Sequence, residues 1–229
     1  MAQAANLVLW DIDLTLLDLR RMGGGWYEQA MIEVTGREPV RIPAFGGRTD
    51  RWIAGQLLVG VGLDPSDELI AAVHAAVVRI AGEQRARIAE LGVVLPGVPA
   101  ILAALAERPD VVQSLVTGNL RPIAGFKVAA FGLSRYLDLE IGGYGGVSDQ
   151  RAALVAEALT SAARRHGTPF TAVVVGDTPY DVHAALAHGT RAIGVATGRH
   201  PADELLAAGA HAVLPNLADT DRVLTTILG

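Results

Sequence analysis

The stretch that most constrains this chain is Leu7-Val8-Leu9-Trp10-Asp11-Ile12-Asp13-Leu14-Thr15, where an apolar run of strand length stops abruptly on two carboxylates one residue apart. A near-continuous apolar run is how a parallel strand buried on both faces reads. Ligands of open α/β sheets bind just beyond the carboxyl ends of such strands. Asp11 and Asp13 are therefore expected at a sheet rim, pointing roughly the same way while the chain is still extended. Two like charges so close repel, and each resists desolvation, so the pair calls for a cation or a proton between them. A hard divalent cation such as Mg2+, held by oxygen ligands, is the simplest resident. Taken alone, Asp13 and Thr15 also suit the cap of a following helix.

Composition narrows what can surround such a rim. At 229 residues, 51% hydrophobic and 19% charged, the chain is expected to form one domain or a domain with a subdomain around an ample core. A net charge of −5 gives no reason to expect nucleic acid or an anionic membrane as a partner. With no cysteine, disulfides, iron–sulfur clusters and thiolate zinc sites are excluded. The first residues carry no basic start and no signal peptide pattern, and no segment reaches the roughly 18 uninterrupted apolar residues of a membrane span. A soluble, cytoplasmic protein is the expectation. Lys127 is the only lysine; the other eighteen cationic side chains are arginine.

After Thr15 the pattern changes. Between about Asp18 and Leu95 no strand is predicted, only helices: Trp26, Tyr27, Ala30, Met31 and Val34 share one face, then Trp52, Ile53, Gln56 and Leu57. The longest opens on Ser66 as N-cap and carries Leu69, Ile70, Val73, Val77 and Ile80 at helical spacing. Gly23-Gly24-Gly25 and Leu95-Pro96-Gly97-Val98-Pro99 bracket the region, which reads as a helical cap subdomain over 18–95 set into a core of 1–17 and 96–229. From Val98 onward helices and strands alternate. Strands are predicted at 111–116, 137–141, 172–176, 192–195 and 212–214, with a glycine loop at 142–146. The fold class that follows is α/β, a doubly wound parallel sheet. There are no repeats and no low-complexity tail.

Three predicted strands end on polar residues with complementary chemistry. Besides Asp11 and Asp13, one ends on Thr117-Gly118-Asn119 and another on Gly176-Asp177, followed by Asp181. Thr117 offers a hydroxyl, and the N–H groups of Gly118 and Asn119 stand at a helix start, a ready anion site. A plain helix cap with a glycine turn is the simpler account of that triplet alone. Capping by Asp177 or Thr178 ahead of Pro179 is the plain alternative for Gly176 to Asp181. Gly46-Gly47-Arg48-Thr49-Asp50 sets a cationic fork beside glycines, able to reach a phosphate or carboxylate or simply to stay in solvent. His183 and His188, five apart on one helix, are poorly aligned for a shared metal ion.

Taken together, Asp-x-Asp-x-Thr after an N-terminal strand, the Thr117 triplet and Gly-Asp-x-x-x-Asp at Gly176–Asp181 resemble the motifs of the haloacid dehalogenase-like (HAD) hydrolases. They come in order and cover nearly the whole chain, with the helical insertion between the first and second. The capped phosphoglycolate phosphatase-like branch is the nearest in pattern, and it implies a Rossmann-like core. The resemblance implies Asp11 as nucleophile, Asp13 as general acid/base, and Thr117, Gly118 and Asn119 as holders of the transferring phosphoryl group. It implies Mg2+ bound by Asp11, the backbone carbonyl of Asp13, and Asp177, with Asp181 a ligand or an orienting partner. It also implies a cation against the phosphoryl group, in many relatives a lysine followed by proline. That neighbourhood here reads Ser148-Asp149-Gln150-Arg151. Arg151 has the position, opening a helix. Lys127 has rarity, but stands more than a helical turn beyond Pro122, a distance that counts against it. Both remain candidates, and Arg48 is the candidate for specificity from the cap.

The implied activity is Mg2+-dependent hydrolysis of a small phosphorylated metabolite through an aspartyl-phosphate. A haloacid dehalogenase does not need the second carboxylate, and a phosphonatase uses a cap lysine that the stretch from Asp18 to Leu95 lacks. A sugar-phosphate mutase shares the same motifs, and a catalytically silent binding protein would not need the Asp11, Asp13 and Asp177 set. Neither the substrate nor the oligomeric state is readable at this stage.

Overall fold

The computed structural model describes residues 6–19, 22–167 and 170–229. Residues 1–5 and 168–169 of the predicted core, and 20–21 of the predicted insertion, lie outside the described residues. In chain order the strands are β1 (Asn6–Trp10), β2 (Leu17–Asp18), β3 (Val93–Val94), β4 (Val111–Thr117), β5 (Gly143–Tyr144), β6 (Thr171–Gly176), β7 (Arg191–Val195) and β8 (Ala212–Leu214). The helices are α1 (Met22–Thr35), α2 (Asp50–Gly60), α3 (Asp67–Glu83), α4 (Arg85–Leu91), α5 (Val98–Ala106), α6 (Arg121–Ala130), α7 (Arg151–His166), α8 (Pro179–Leu186), α9 (Ala202–Ala207) and α10 (Thr220–Leu228).

Six strands form one sheet in the order β5-β4-β1-β6-β7-β8, and every pairing in it is parallel. The predicted doubly wound α/β class is therefore the observed one. Strand β1 lies at its centre, with Leu7, Val8, Leu9 and Trp10 wholly buried. Alternate side chains of a strand point to opposite faces. Val8 and Trp10 accordingly join the cluster built with α5, α6 and α10, and Leu7 and Leu9 the one built with α7, α8 and α9. The Trp10 indole N–H keeps a partner in this core, donating to Gln113 Oε1 at 3.2 Å.

A third apolar cluster belongs to the helical unit α1–α4, where Trp26, Tyr27, Met31, Ile53, Leu57, Val73, Val77 and Ile80 pack together. Leu120 and Ile123, at the start of α6, complete it, so the helical unit rests directly on the helix that follows β4. Ser66 caps α3 as expected, its hydroxyl accepting from the Leu69 N–H at 3.3 Å.

Two expectations need correction. The strand predicted at 137–141 does not form: a 3-10 turn at Leu133–Tyr136 precedes it, and the edge strand is instead β5, inside the glycine loop. The cause is the closeness of α7. A Cβ on Gly143 would stand 1.9 Å from the Leu154 carbonyl oxygen, so only a residue without one lets the strand pair there with Val116. The region from Asp18 to Leu95 is also not free of strand, since β2 pairs antiparallel with β3 across the two connections to the helical unit. Strands two residues long leave no alternation for a periodicity argument to find. Among the described residues, no helix is long and apolar enough to cross a membrane.

Candidate active site

The carboxyl ends of β1, β4 and β6 are adjacent, so what each strand delivers meets at one rim. Asp11 continues the ladder by one bond, its N–H donating to the Val175 carbonyl at 2.9 Å, and its carboxyl is buried. Directly after Asp13 the chain reverses. Leu14 sits at φ 63°, a left-handed conformation uncommon for leucine, which costs roughly 1–2 kcal/mol. Two bonds hold it there: its N–H donates to the Leu17 carbonyl at 2.7 Å, and its carbonyl accepts from the Thr197 hydroxyl at 2.6 Å. The turn leaves the Asp13 carboxyl half-exposed while Asp11 goes under.

Two groups of residues result. The deeper one contains Asp11, Asp177 and Asp181, each bringing a carboxylate oxygen within 4.8 Å of the others. Arg151, at the first position of α7, reaches into it: one Nη2 lies 2.6 Å from Asp11 Oδ1 and 2.7 Å from Asp181 Oδ1. Asp181 is fixed by a capping box at the start of α8, accepting from the Thr178 N–H at 3.1 Å and hydroxyl at 2.7 Å. The capping role foreseen for this segment is thus real, and it aims Asp181 rather than replacing its part in the cluster. Asp177 receives the Thr15 hydroxyl at 3.4 Å and lies against Gly198, where a Cβ would stand 1.8 Å from its Oδ2.

Burial pushes the Asp11 carboxyl above the usual carboxylate range, against the opposing pull of Arg151, with Asp181 and Asp13 adding to the rise. Asp177 moves the same way, again chiefly through burial, with Asp11 and Asp181 adding to it. For Arg151, burial works against the charge, but Asp181 and Asp11 outweigh it and hold the guanidinium firmly protonated. Three carboxylates thus face one guanidinium. Asp181 Oδ1 has that charge nearby but no aligned hydrogen bond, and it is buried without another partner. An all-oxygen donor set with surplus negative charge and an open carboxylate oxygen fits a hard divalent cation.

The second group is at the Asp13 side. Lys127 Nζ stands 2.7 Å from both Asp13 oxygens and donates to Asn119 Oδ1 at 2.7 Å. Asn119 Nδ2 donates to Asp13 Oδ2 at 2.8 Å and to Thr117 Oγ1 at 2.7 Å. Lys127 is therefore not carried away by its place along α6; its long side chain runs back along the helix, and the structure brings both cation candidates to the site. Arg151 stands at Asp11 and Lys127 at Asp13.

Arg48 is placed differently from a freely reaching fork. Its guanidinium lies 4.4 Å from the ring centres of both Trp52 and Tyr180, one from the helical unit and one from α8. It lines the same cavity as Asp11, Asp13, Lys127 and Arg151. The residue that sequence reasoning passed over is Asp50. Buried at the start of α2, it accepts the Leu120 N–H at 2.6 Å, and its own N–H donates to the Gly118 carbonyl at 2.7 Å. A Cβ on Gly118 would stand 1.9 Å from the Arg48 carbonyl oxygen. The helical unit thus docks backbone to backbone on the Thr117 turn. A sequence carries no sign of such a contact except the glycine itself.

None of the curated proteins compared matches this chain significantly in sequence. Solved structures match over nearly the full length of both chains. A hydrolase from Pseudomonas syringae superposes with a TM-score of 0.69 at 20% identity, covering 97% of this chain and 99% of the other. A protein provisionally described as a β-phosphoglucomutase, from Bacteroides vulgatus, gives 0.68 at 19%, covering 99% and 90%. One provisionally described as a phosphoglycolate phosphatase, from Haemophilus somnus, gives 0.63 at 16%, covering 98% and 99%. These likenesses establish the fold. The family model for haloacid dehalogenase-like hydrolases matches residues 8–186, a span that holds Asp11, Asp13, the Thr117 turn, Arg151, Asp177 and Asp181, and this chain belongs to that family.

Proposed function

We propose that the protein is a Mg2+-dependent phosphatase that hydrolyses a small phosphate monoester through an aspartyl-phosphate on Asp11. The observation that carries this is the convergence of Asp11, Asp177 and Asp181 within 4.8 Å of one another, beside an Asp13 held at the mouth of the same cavity. Asp11, Asp177 and Asp181, with the Asp13 carbonyl, would hold the cation, which when bound supplies positive charge that lets an anionic nucleophile approach an anionic ester.

The chain's own residues do the rest. A carboxylate oxygen of Asp11 attacks phosphorus in line, forming the aspartyl–phosphorus bond as the ester oxygen departs. Asp13 gives that oxygen a proton, and the alcohol leaves. Asp13 then takes a proton from water, whose oxygen attacks phosphorus, releasing inorganic phosphate and restoring Asp11. Arg151 steers the attacking carboxylate and offers its charge to the phosphoryl oxygens. The Thr117 hydroxyl and the Gly118 and Asn119 amides take up the remaining oxygens. Lys127 keeps Asp13 in place from the other side, with its charge also at hand for the phosphoryl group.

The test is a hydrolysis screen over phosphate esters with Mg2+ present, run beside Asp11→Asn. The variant is expected to fold and to lose turnover, since an amide oxygen is a poor nucleophile. Its stability should hold, because the exchange also removes a buried like charge. A variant as fast as the parent would rule out Asp11 as nucleophile.

A further inference from the structure

Between the helical unit and the rim of the sheet lies a cavity of about 990 Å3. Its floor is the group of residues just described, and its far wall comes from α1, the loop 41–47 and α2. Roughly 300–1,000 Å3 is the range that accommodates drug-sized ligands. An ester of two or three carbons would leave most of this space to water.

The polar heads along the far wall are already engaged elsewhere. The Trp26 indole N–H donates to Gln84 Oε1 at 3.1 Å, the Tyr27 hydroxyl to the Asp50 carbonyl at 3.3 Å, and the Asp50 carboxylate accepts from Leu120. The half-buried Phe45 and Ile42 put ring and alkyl surface on this wall, backed by Tyr27 and Ile53, which are almost fully buried. The Tyr27 and Phe45 rings meet edge to face with centres 5.5 Å apart. A polyhydroxylated leaving group would shed water against this wall without gaining hydrogen bonds. An apolar ring would gain both burial and edge-to-face contact. Beyond Arg151 and Lys127 on the floor, three cations line the cavity: Arg41 and Arg199, which are exposed, and Arg48, held between its two rings. They make a short carboxylate-bearing ester the competing occupant.

We infer that the leaving group is an apolar, ring-bearing alcohol, so that the substrate class is the phosphate monoester of an arylalkyl or comparable alcohol. This rests on the phosphatase reading above. The test compares kcat/KM for 3-phenylpropyl phosphate, glucose 6-phosphate and phosphoglycolate, all esters of primary alcohols. The phenylpropyl ester should lead both others by about tenfold or more, the scale at which apolar pockets discriminate. Phe45→Ala should shrink that lead rather than slow the three alike. Equal or better turnover of glucose 6-phosphate or phosphoglycolate would overturn the inference and leave the phosphatase intact. If neither these esters nor acetyl phosphate is hydrolysed, the phosphatase reading falls instead. Calorimetry of the whole protein then decides the ligand class. Tighter binding of 3-phenylpropylphosphonate than of phosphonoacetate sustains it, and equal or weaker binding sinks it.

Discussion

Asp50 carries a carboxylate into a buried place, where it accepts from the Leu120 backbone amide at 2.6 Å. Burial raises its pKa from 3.8 to about 6, against the opposing pull of the Leu120 amide and of Lys127. A group whose folded pKa lies above its unfolded value stabilises the fold fully below the unfolded pKa and loses that contribution as pH rises through the folded one. For Asp50 the window runs from 3.8 to about 6, and the gap corresponds to about 3 kcal/mol. Asp50→Asn keeps an oxygen for the Leu120 N–H and removes the titration. The stability of the variant relative to the parent, from urea unfolding in EDTA, should therefore climb between pH ~4 and pH ~6 and stay level above it. A difference that stays flat across that window would mean the Asp50 carboxyl titrates normally. Asp50 also marks where legibility ends at this scale. Asp11, Asp13 and Asp177 were readable because each ends an apolar run in a recognisable motif. The partner of Asp50 lies 70 residues further along the chain, and nothing local announces it.

At the scale of elements, two helices deliver the two cations, and they do so differently. Helix α7 presents Arg151 from its first position, directly at the rim, with almost no freedom once Asp11 and Asp181 are engaged. Helix α6 presents Lys127 from its last turn, through a long stem that runs back towards Asp13 and Asn119. Counting residues along α6 suggests that Lys127 falls short, because rise along the axis says nothing of a side chain that folds back towards the helix start. Arg151→Ala should lower kcat by on the order of a hundredfold, since it strips charge from the transition state. Its melting temperature should fall too, because three buried carboxylates would lose their shared partner. Lys127→Ala should also lower kcat, with Lys127→Arg restoring little, because a planar fork does not replace a compact ammonium set between Asp13 and Asn119. Full activity in either alanine variant would remove that residue from the chemistry. The elements themselves divide in the same manner. Long helices and strongly apolar strands were legible, whereas β5, β2 and β3 arise from close backbone contacts among distant segments and leave no periodic trace.

For the whole molecule, the acidic cluster proposed to hold the cation exists only when the fold does. Asp11 leaves the central strand and Asp177 leaves its neighbour β6, 166 positions later in sequence, so the unfolded chain offers no comparable cluster. A ligand that binds the native state alone raises stability by RT ln(1 + [L]/Kd), about 2.7 kcal/mol at a hundredfold excess over Kd. For a chain of this size each kcal/mol moves the midpoint by roughly 2–4 °C. Mg2+ should therefore raise the melting temperature by about 5–10 °C over the value in EDTA. The same additions should abolish and restore turnover. Asp177→Ala separates this from a general salt effect. Without metal the variant should melt no lower than the parent by any large margin, because Asp177 is a buried carboxyl set against Asp11 and Asp181. With metal it should gain little, because one ligand of the cluster is gone. Zn2+ restoring activity where Mg2+ fails would contradict the hard-cation assignment, since every donor at the site is oxygen. A midpoint indifferent to Mg2+, at concentrations that support turnover, would place the cation outside this cluster.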